Sequence, residues 1–138
     1  MVNKNVLRPR IEKIHQYLSR IKPTRKIVYK AFAGNQDLQD IVEYNLFQII
    51  NHLIDMCHHV VVDEGYGFPE SAHEAADLLV QRKVLAPKYG DKLKKMIGFR
   101  NVIGHDYLDI DKKIVYEIWT KRLKDIEKIV HEMANRYL

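Results

Sequence analysis

Cysteine is almost absent from this chain of 138 residues, since Cys57 is the only one. A single cysteine excludes an internal disulfide and fits a reducing compartment. No uninterrupted apolar run approaches the length of a membrane span, so the sequence predicts no transmembrane helix and no membrane partner. Residues 1–8 lack the apolar segment of a signal peptide, and we therefore expect a cytoplasmic protein.

Several motifs of familiar enzyme classes are also missing. The sequence has no Gly-rich phosphate loop, no Gly-x-Ser-x-Gly, no paired cysteines and no His-Glu-x-x-His. The pattern nearest to a metal site is His52, Asp55 and His59 within one predicted helix. A structural metal site normally needs four ligands. We therefore expect neither metal nor cofactor here, and interpret the three as polar residues on an exposed or dimer-facing stripe.

Composition places the chain among ordinary globular proteins, with 46% apolar and 30% charged residues. Its length suits a single domain, residues 1–138, with a core of its own. The net charge of +5 weakly favours anionic partners such as RNA, a nucleotide or an acidic protein. Most basic residues are explained by a solvated surface. Lys94, Lys95 and Arg100 are exceptions, because they lie on or near the motif described below.

Apolar residues recur at helical spacing, and no segment alternates convincingly as a strand. We predict an all-α fold, an antiparallel bundle of about five helices. The first helix is expected to start near Pro9 and to stop before Pro23. Thr24 is expected to cap a short second helix that Gly34 ends. We interpret both helices as amphipathic and structural.

A long helix is predicted from about Gln36 to about Asp63. Its apolar residues cover more than one narrow stripe, which is typical of a helix packed on two sides. In so small a domain the second partner can be another copy of the chain, and we therefore expect a homodimer. Ser71 and Glu74 form a capping box for the next helix.

The last two helices are predicted as an antiparallel pair. The first of them, called the motif helix below, runs from about Tyr89 to about Tyr107, after the break at Pro87. The final helix is capped by Asp111 and carries apolar residues at helical spacing as far as Met133.

The most informative stretch is Gly-Phe-Arg-Asn-Val-Ile-Gly-His-Asp-Tyr, residues 98–107. At about 100° per residue, Asn101 and His105 share one stripe of the motif helix, and Arg100, Gly104 and Tyr107 share the adjacent one. A glycine within a helix costs about 1 kcal/mol against alanine, so Gly104 suggests close approach by a backbone or ligand. Spacing alone leaves a functional site and a set of solvated polar residues as equal alternatives.

The pattern Arg-Asn-x-x-x-His-x-Tyr, preceded by Leu-Lys-Lys-Met-Ile-Gly-Phe, resembles the signature of the HepT family of toxins in the HEPN superfamily. Similar residues also occur at 39–46 (Gln-Asp-Ile-Val-Glu-Tyr-Asn-Leu), 54–55 (Ile-Asp) and 69–71 (Pro-Glu-Ser). The resemblance extends from about residue 36 to the C-terminus and is weakest over the first helix. It implies a HEPN-like helical fold and the toxin of a type VII toxin–antitoxin system, whose antitoxin is a minimal nucleotidyltransferase.

The resemblance further implies a metal-independent endoribonuclease that uses Arg100 and His105 across a dimer cleft. A histidine, with a pKa near 6.5, can take the proton of a ribose 2′-OH. The arginine offers a planar fork of donors to the phosphate. Attack by the 2′-oxygen on phosphorus would yield a cyclic phosphate, so DNA would be inert. Asn101 can hold the histidine ring or a phosphate oxygen, and a second protomer would supply the second histidine.

Two more roles follow from the same resemblance. The antitoxin is expected to silence the toxin by attaching AMP to Tyr107, which places bulk and negative charge beside Arg100. Asp55 is expected to pair with a base on the motif helix. A tyrosine that merely packs at a helix end remains an alternative for Tyr107. The alternative for the whole chain is a non-catalytic subunit that binds a nucleotide or the nucleotidyltransferase, but the intact Arg, His and Tyr favour the ribonuclease.

Overall fold

A computed structural model of the chain describes residues 1–24, 26–105 and 110–138, and of residues 104 and 105 it describes the backbone. Every regular element in these ranges is helical, which confirms the all-α prediction. In chain order they are α1 (Lys4–Ile21), α2 (Tyr29–Ala33), α3 (Gln36–Asp63), α4 (Ala72–Gln81), α5 (Pro87–His105), α6 (Lys112–Glu117), a π-helical turn (Ile118–Arg122) and α7 (Leu123–Tyr137). The last three follow one another without a break and form the final helix. None of the described helices has both the length and the apolar content that crossing a membrane requires.

The first helix begins at Lys4, before the predicted start near Pro9. The Asn3 side chain caps it by accepting a hydrogen bond from the backbone N–H of Asn5 at 3.0 Å. Leu7 is fully buried, so the core holds the first turns of the helix. Pro9 therefore lies inside α1, where it can donate no hydrogen bond to the preceding turn.

The prediction that Thr24 caps the second helix was wrong. Helix α2 begins at Tyr29, and its N-cap residue Val28 makes no side-chain hydrogen bond. The hydroxyl of Thr24 instead donates to the backbone carbonyl of Ile21 at 3.3 Å. Carbonyls in the last turn of a helix lack intrahelical partners, so a nearby hydroxyl satisfies one of them.

The side-chain caps predicted at Ser71 and Asp111 are confirmed. The Glu74 carboxylate, however, accepts from the backbone N–H of Glu70 at 3.0 Å and so does not complete the capping box with Ser71. The Ser71 hydroxyl accepts from the backbone N–H of Glu74 at 3.1 Å and opens α4. The Asp111 carboxylate accepts from the backbone N–H of Lys113 at 2.9 Å and opens the final helix. Each cap joins residues two or three positions apart, which explains why the sequence alone predicts it.

The long helix α3 is the centre of the bundle, because α1, α4 and α5 all pack against it. Its fully buried side chains include Leu46, Ile49, Ile50, Leu53 and Met56. Neighbours within the same chain thus cover much of the broad apolar surface that suggested a second copy. Ile41 and Tyr44 remain 51% and 54% exposed.

Helix α5 lies antiparallel to the final helix, as predicted. The ammonium of Lys92, near the start of α5, is 3.0 Å from the Asp125 carboxylate on α7. Phe99, two turns later on α5, lines the same cavity as Ile114, which precedes Asp125 on the final helix. Leu93 and Met96 of α5 are buried in the common core. Their burial determines which face of α5 is exposed to solvent.

Candidate active site

Arg100 lies on the side of α5 that faces α3. The adjacent Phe99 is buried and holds this part of the helix against the core. One terminal nitrogen of Arg100, Nη1, donates to the Oδ1 atom of Asn51 at 3.3 Å. Asn51 was not predicted from the sequence, because helical spacing gives no signal for a contact between residues 49 positions apart.

The guanidinium of Arg100 is held by a neutral amide. Among the described residues it forms no ion pair with a carboxylate, and its Nε atom is buried without a hydrogen-bond partner. The positive charge is therefore uncompensated in this part of the structure, and donors remain free. A planar group of this kind binds phosphate or carboxylate through paired hydrogen bonds.

The outer face of α5 beside Arg100 is open. Asn101 is exposed, and Val102 is 53% exposed although it is apolar. Ile103 turns back toward the core and is partly buried. An anionic ligand could therefore approach Arg100 across a surface that also offers an amide and an apolar contact.

The backbone of α5 continues in helical form through Gly104 and ends at His105. His105 follows Arg100 by five residues, so the two Cα positions differ by about 7.5 Å along the helix axis and by about 140° around it. The side chain of His105 and all of Tyr107 lie outside the described residues. Their roles, and that of Gly104, therefore stay predictions.

Asp55 pairs with the first helix instead of the motif helix. Its Oδ2 atom is 3.6 Å from Nη1 of Arg10 on α1. The same Arg10 nitrogen is 3.2 Å from Nδ1 of His52. We expected a base on the motif helix as the partner of Asp55, and among the described residues its partner is an arginine from α1. The reason is that α3 lies between the two helices, so neighbouring turns of its surface face different partners. The side chain of His105 lies outside the described residues, so its contact with Asp55 stays a prediction.

The His52 ring contacts both polar and aromatic neighbours. Its ring stacks on Tyr17 with a centroid separation of 5.9 Å. Burial, followed by the positive charge of Arg10, lowers the pKa of His52 below its ordinary value, which disfavours the charged form of the ring. Within the described part of the chain, no three side chains of His, Cys, Asp or Glu converge as metal ligands.

Comparison with protein families gives a match over most of the chain. The model of the family described as "Ribonuclease HepT-like" matches residues 14–133. This range includes the candidate active site and leaves out most of the first three turns of α1.

Two curated proteins are similar in sequence. The "mRNA nuclease HepT" of Shewanella oneidensis is 32% identical over 99 residues, which is 72% of this chain and 74% of that protein. The "tRNA nuclease HepT" of Aphanizomenon flos-aquae is 26% identical over 133 residues, which is 96% of this chain and 90% of that protein.

One solved structure shows how far the likeness extends in three dimensions. It is the tri-AMPylated HEPN toxin of Shewanella oneidensis in complex with an MNT antitoxin. The TM-score is 0.86 at 28% sequence identity, over 94% of this chain and 97% of the toxin. The similarity therefore extends over nearly the whole length of the chain and includes at least part of α1.

Proposed function

Since the chain belongs to the ribonuclease HepT-like family, we propose that it is the toxin of a type VII toxin–antitoxin module and that it cleaves RNA. The relatives named above as nucleases cover most of its length. A toxin with the same fold is bound to an MNT antitoxin in its solved structure. The cognate antitoxin of this chain would accordingly be a minimal nucleotidyltransferase, and both partners act in the cytoplasm. We propose that residues 1–138 function as one domain.

Among the described residues the guanidinium of Arg100 has no carboxylate partner, and this is the single observation that carries the proposal. A structural arginine in a bundle of this size is normally paired with a carboxylate, because a partly buried cation without a partner is costly. Arg100 has only the Asn51 amide among the described residues. Such an arginine is prepared to bind an RNA phosphate and to stabilise the negative charge that grows on it in the transition state.

His105 completes the proposed chemistry as general base. It takes the proton from the ribose 2′-OH, and the 2′-oxygen then attacks the adjacent phosphorus while the bond to the 5′-oxygen of the next nucleotide breaks. An acid gives a proton to the departing 5′-oxygen, so the products are a 2′,3′-cyclic phosphate and a 5′-hydroxyl. Asn101, exposed one residue after Arg100, holds the histidine ring or a phosphate oxygen. DNA, which has no 2′-OH, is not a substrate.

A homodimer would supply the acid. One histidine cannot easily serve both ends of the scissile bond, whereas two motif helices near a two-fold axis bring two His105 and two Arg100 side chains together. Val102, half exposed beside Arg100, is an apolar residue suited to such a contact. The chain should therefore have twice its monomer mass in solution at micromolar concentration. A monomer would remove the acid from this mechanism.

The test is to induce the chain alone in a bacterial host and to measure growth and RNA cleavage. Arg100→Ala and His105→Ala should each abolish both, while the melting temperature stays near that of the wild type. Arg100 is not part of the apolar core, and a polar site residue of the kind proposed for His105 adds little to stability. Lys124→Ala, which removes an exposed cation from the final helix, serves as the control and should remain toxic. Unchanged cleavage in Arg100→Ala or His105→Ala would refute the catalytic assignment and favour the non-catalytic nucleotidyltransferase-binding subunit.

A further inference from the structure

Four side chains of α1 form a stripe that the proposed chemistry does not use. They are Arg10, Lys13, Tyr17 and Arg20. At about 100° per residue they lie within roughly 80° of one another around the helix. Lys13 and Arg20 are exposed, and Arg10 and Tyr17 are partly exposed. The stripe spans ten residues, or about 15 Å of helix.

This stripe meets an aromatic edge of α3. The Tyr17 ring stacks on His52 and meets the ring of Tyr44 edge-on, with a centroid separation of 6.3 Å. The guanidinium of Arg20 lies over the Tyr17 ring, 4.9 Å from its centroid. We call these residues together the α1–α3 surface: Arg10, Lys13, Tyr17 and Arg20 of α1, with Tyr44 and His52 of α3.

The α1–α3 surface is positively charged. It carries three cations, Arg10, Lys13 and Arg20. Asp55 neutralises part of this charge through its contact with Arg10 at 3.6 Å. Tyr44 adds an aromatic ring that is 54% exposed. Cations beside exposed aromatic rings are the combination that binds single-stranded nucleic acid, because the cations contact phosphates and the rings stack on bases.

The same surface adjoins the candidate active site. Asn51, the partner of Arg100, and Asp55, the partner of Arg10, are four residues apart on α3. Residues at this spacing are neighbours on one face of a helix. One turn of α3 therefore separates the arginine proposed to act on the scissile phosphate from the first cation of the α1–α3 surface.

We propose that the α1–α3 surface binds the single-stranded segment of substrate RNA that flanks the cleaved phosphodiester. Arg10, Lys13 and Arg20 contact its phosphates, and Tyr44 stacks on a base. The proposal rests on the proposed function, since it assigns a path to the substrate of that site. It also gives α1 a role in substrate binding, whereas the sequence suggested only a structural one.

Charge argues against a second copy of the chain as the occupant. A two-fold contact would place the surface against itself and bring together the cations of both copies. Repulsion of this kind disfavours self-association. An RNA strand, with a negative charge on each phosphate, instead gains from every cation on the surface.

Two double variants, each of which removes two positive charges, test the proposal. Lys13→Ala/Arg20→Ala removes two exposed cations from the α1–α3 surface. Lys121→Ala/Lys124→Ala removes two exposed cations from the final helix, where Lys124 shares a cavity with His15 on another side of α1. Binding is measured with a single-stranded 2′-O-methyl RNA of mixed sequence, which cannot be cleaved, and the dimer mass is checked for each variant.

We expect Lys13→Ala/Arg20→Ala to weaken RNA binding about tenfold and to reduce the slope of log K against log salt by about 1.4, or 0.7 for each lost phosphate contact. The control variant should stay within about twofold of the wild type. On cleavable RNA the first variant should raise KM and leave kcat unchanged, because it loses contacts made equally before and during the reaction. Tyr44→Ala should also weaken binding, and Tyr44→Phe should restore it by keeping the ring.

Equal affinity of the two double variants, with a wild type that binds and cleaves RNA, would overturn this inference and leave the proposed function standing. A change in dimer mass or antitoxin binding with unchanged RNA affinity would also overturn it, because the surface would then be a protein interface. A wild type that neither binds nor cleaves RNA would instead defeat the proposed function itself.

Discussion

Replacing Asn51 by aspartate should slow RNA cleavage without unfolding the protein. The Asn51 amide accepts a hydrogen bond from Arg100 at 3.3 Å, and no carboxylate in the described ranges pairs with the guanidinium. A carboxylate in the same place has nearly the same size, so the packing of α3 against α5 is preserved. It would convert the hydrogen bond into an ion pair and would compete with an RNA phosphate for the same donors.

The size of the effect follows from the distance. Opposite charges about 4 Å apart attract with about 4 kcal/mol at an effective dielectric constant of 20. Both side chains are partly exposed, and solvent screening reduces this to about 1 to 2 kcal/mol. Since about 1.4 kcal/mol corresponds to a factor of ten, kcat/KM for RNA cleavage should fall roughly tenfold. The melting temperature should stay the same or rise.

Asn51→Ala is the matched control. It removes the hydrogen bond, at a cost of about 0.5 to 1.5 kcal/mol, and adds no charge. The two variants are separated by the salt dependence of RNA binding, measured by fluorescence anisotropy. Asn51→Asp should reduce the slope of log K against log salt by about 0.7, whereas Asn51→Ala should keep it. If Asn51→Asp cleaves RNA as fast as the wild type, the uncompensated charge of Arg100 is not what the activity depends on.

Three further predictions concern other parts of the chain. Tyr107→Phe should remain toxic but resist the cognate nucleotidyltransferase. Mass spectrometry should find added AMP units on the Tyr107 peptide of the wild type and none on that of the variant. If Tyr107→Phe has lost RNA cleavage in the absence of the antitoxin, the hydroxyl belongs to the catalytic machinery. Gly90→Ala should cost about 1 to 3 kcal/mol of unfolding free energy and lower the melting temperature by several degrees, because the added Cβ would clash with Cγ2 of Val80. The added Cβ of Gly98→Ala would meet nothing within 4 Å, so this variant should not be destabilised. Equal melting temperatures for the two glycine variants would contradict this. Burial raises the pKa of Cys57 to about 12, so the thiol should resist a disulfide reagent at pH 8 until denaturant is added, and rapid labelling of the folded protein would show that it is not buried.

The features that the sequence predicted correctly depend on residues close together in the chain. Ser71 and Asp111 cap their helices through contacts two or three residues away, and the apolar period identifies the helices and their inner faces. The placement of Arg100, Asn101 and His105 on one helix also follows from local spacing alone. These interactions are decided within one or two helical turns, so no knowledge of the fold is needed to find them.

The partners of the functional side chains depend instead on how the helices pack. The Thr24 hydroxyl donates to a carbonyl at the end of α1, and Asp55 pairs with Arg10 on α1. The contact between Asn51 and Arg100 joins residues 49 positions apart. Which side chain of α3 faces α1 and which faces α5 is set by helix register and rotation in the packed core, to which residues from every helix contribute. The sequence by itself therefore determined the helices and the motif. Only the tertiary structure decided that Arg100 faces the uncharged Asn51, because the rotation of α3 and α5 is set by the apolar side chains that all the helices bury together.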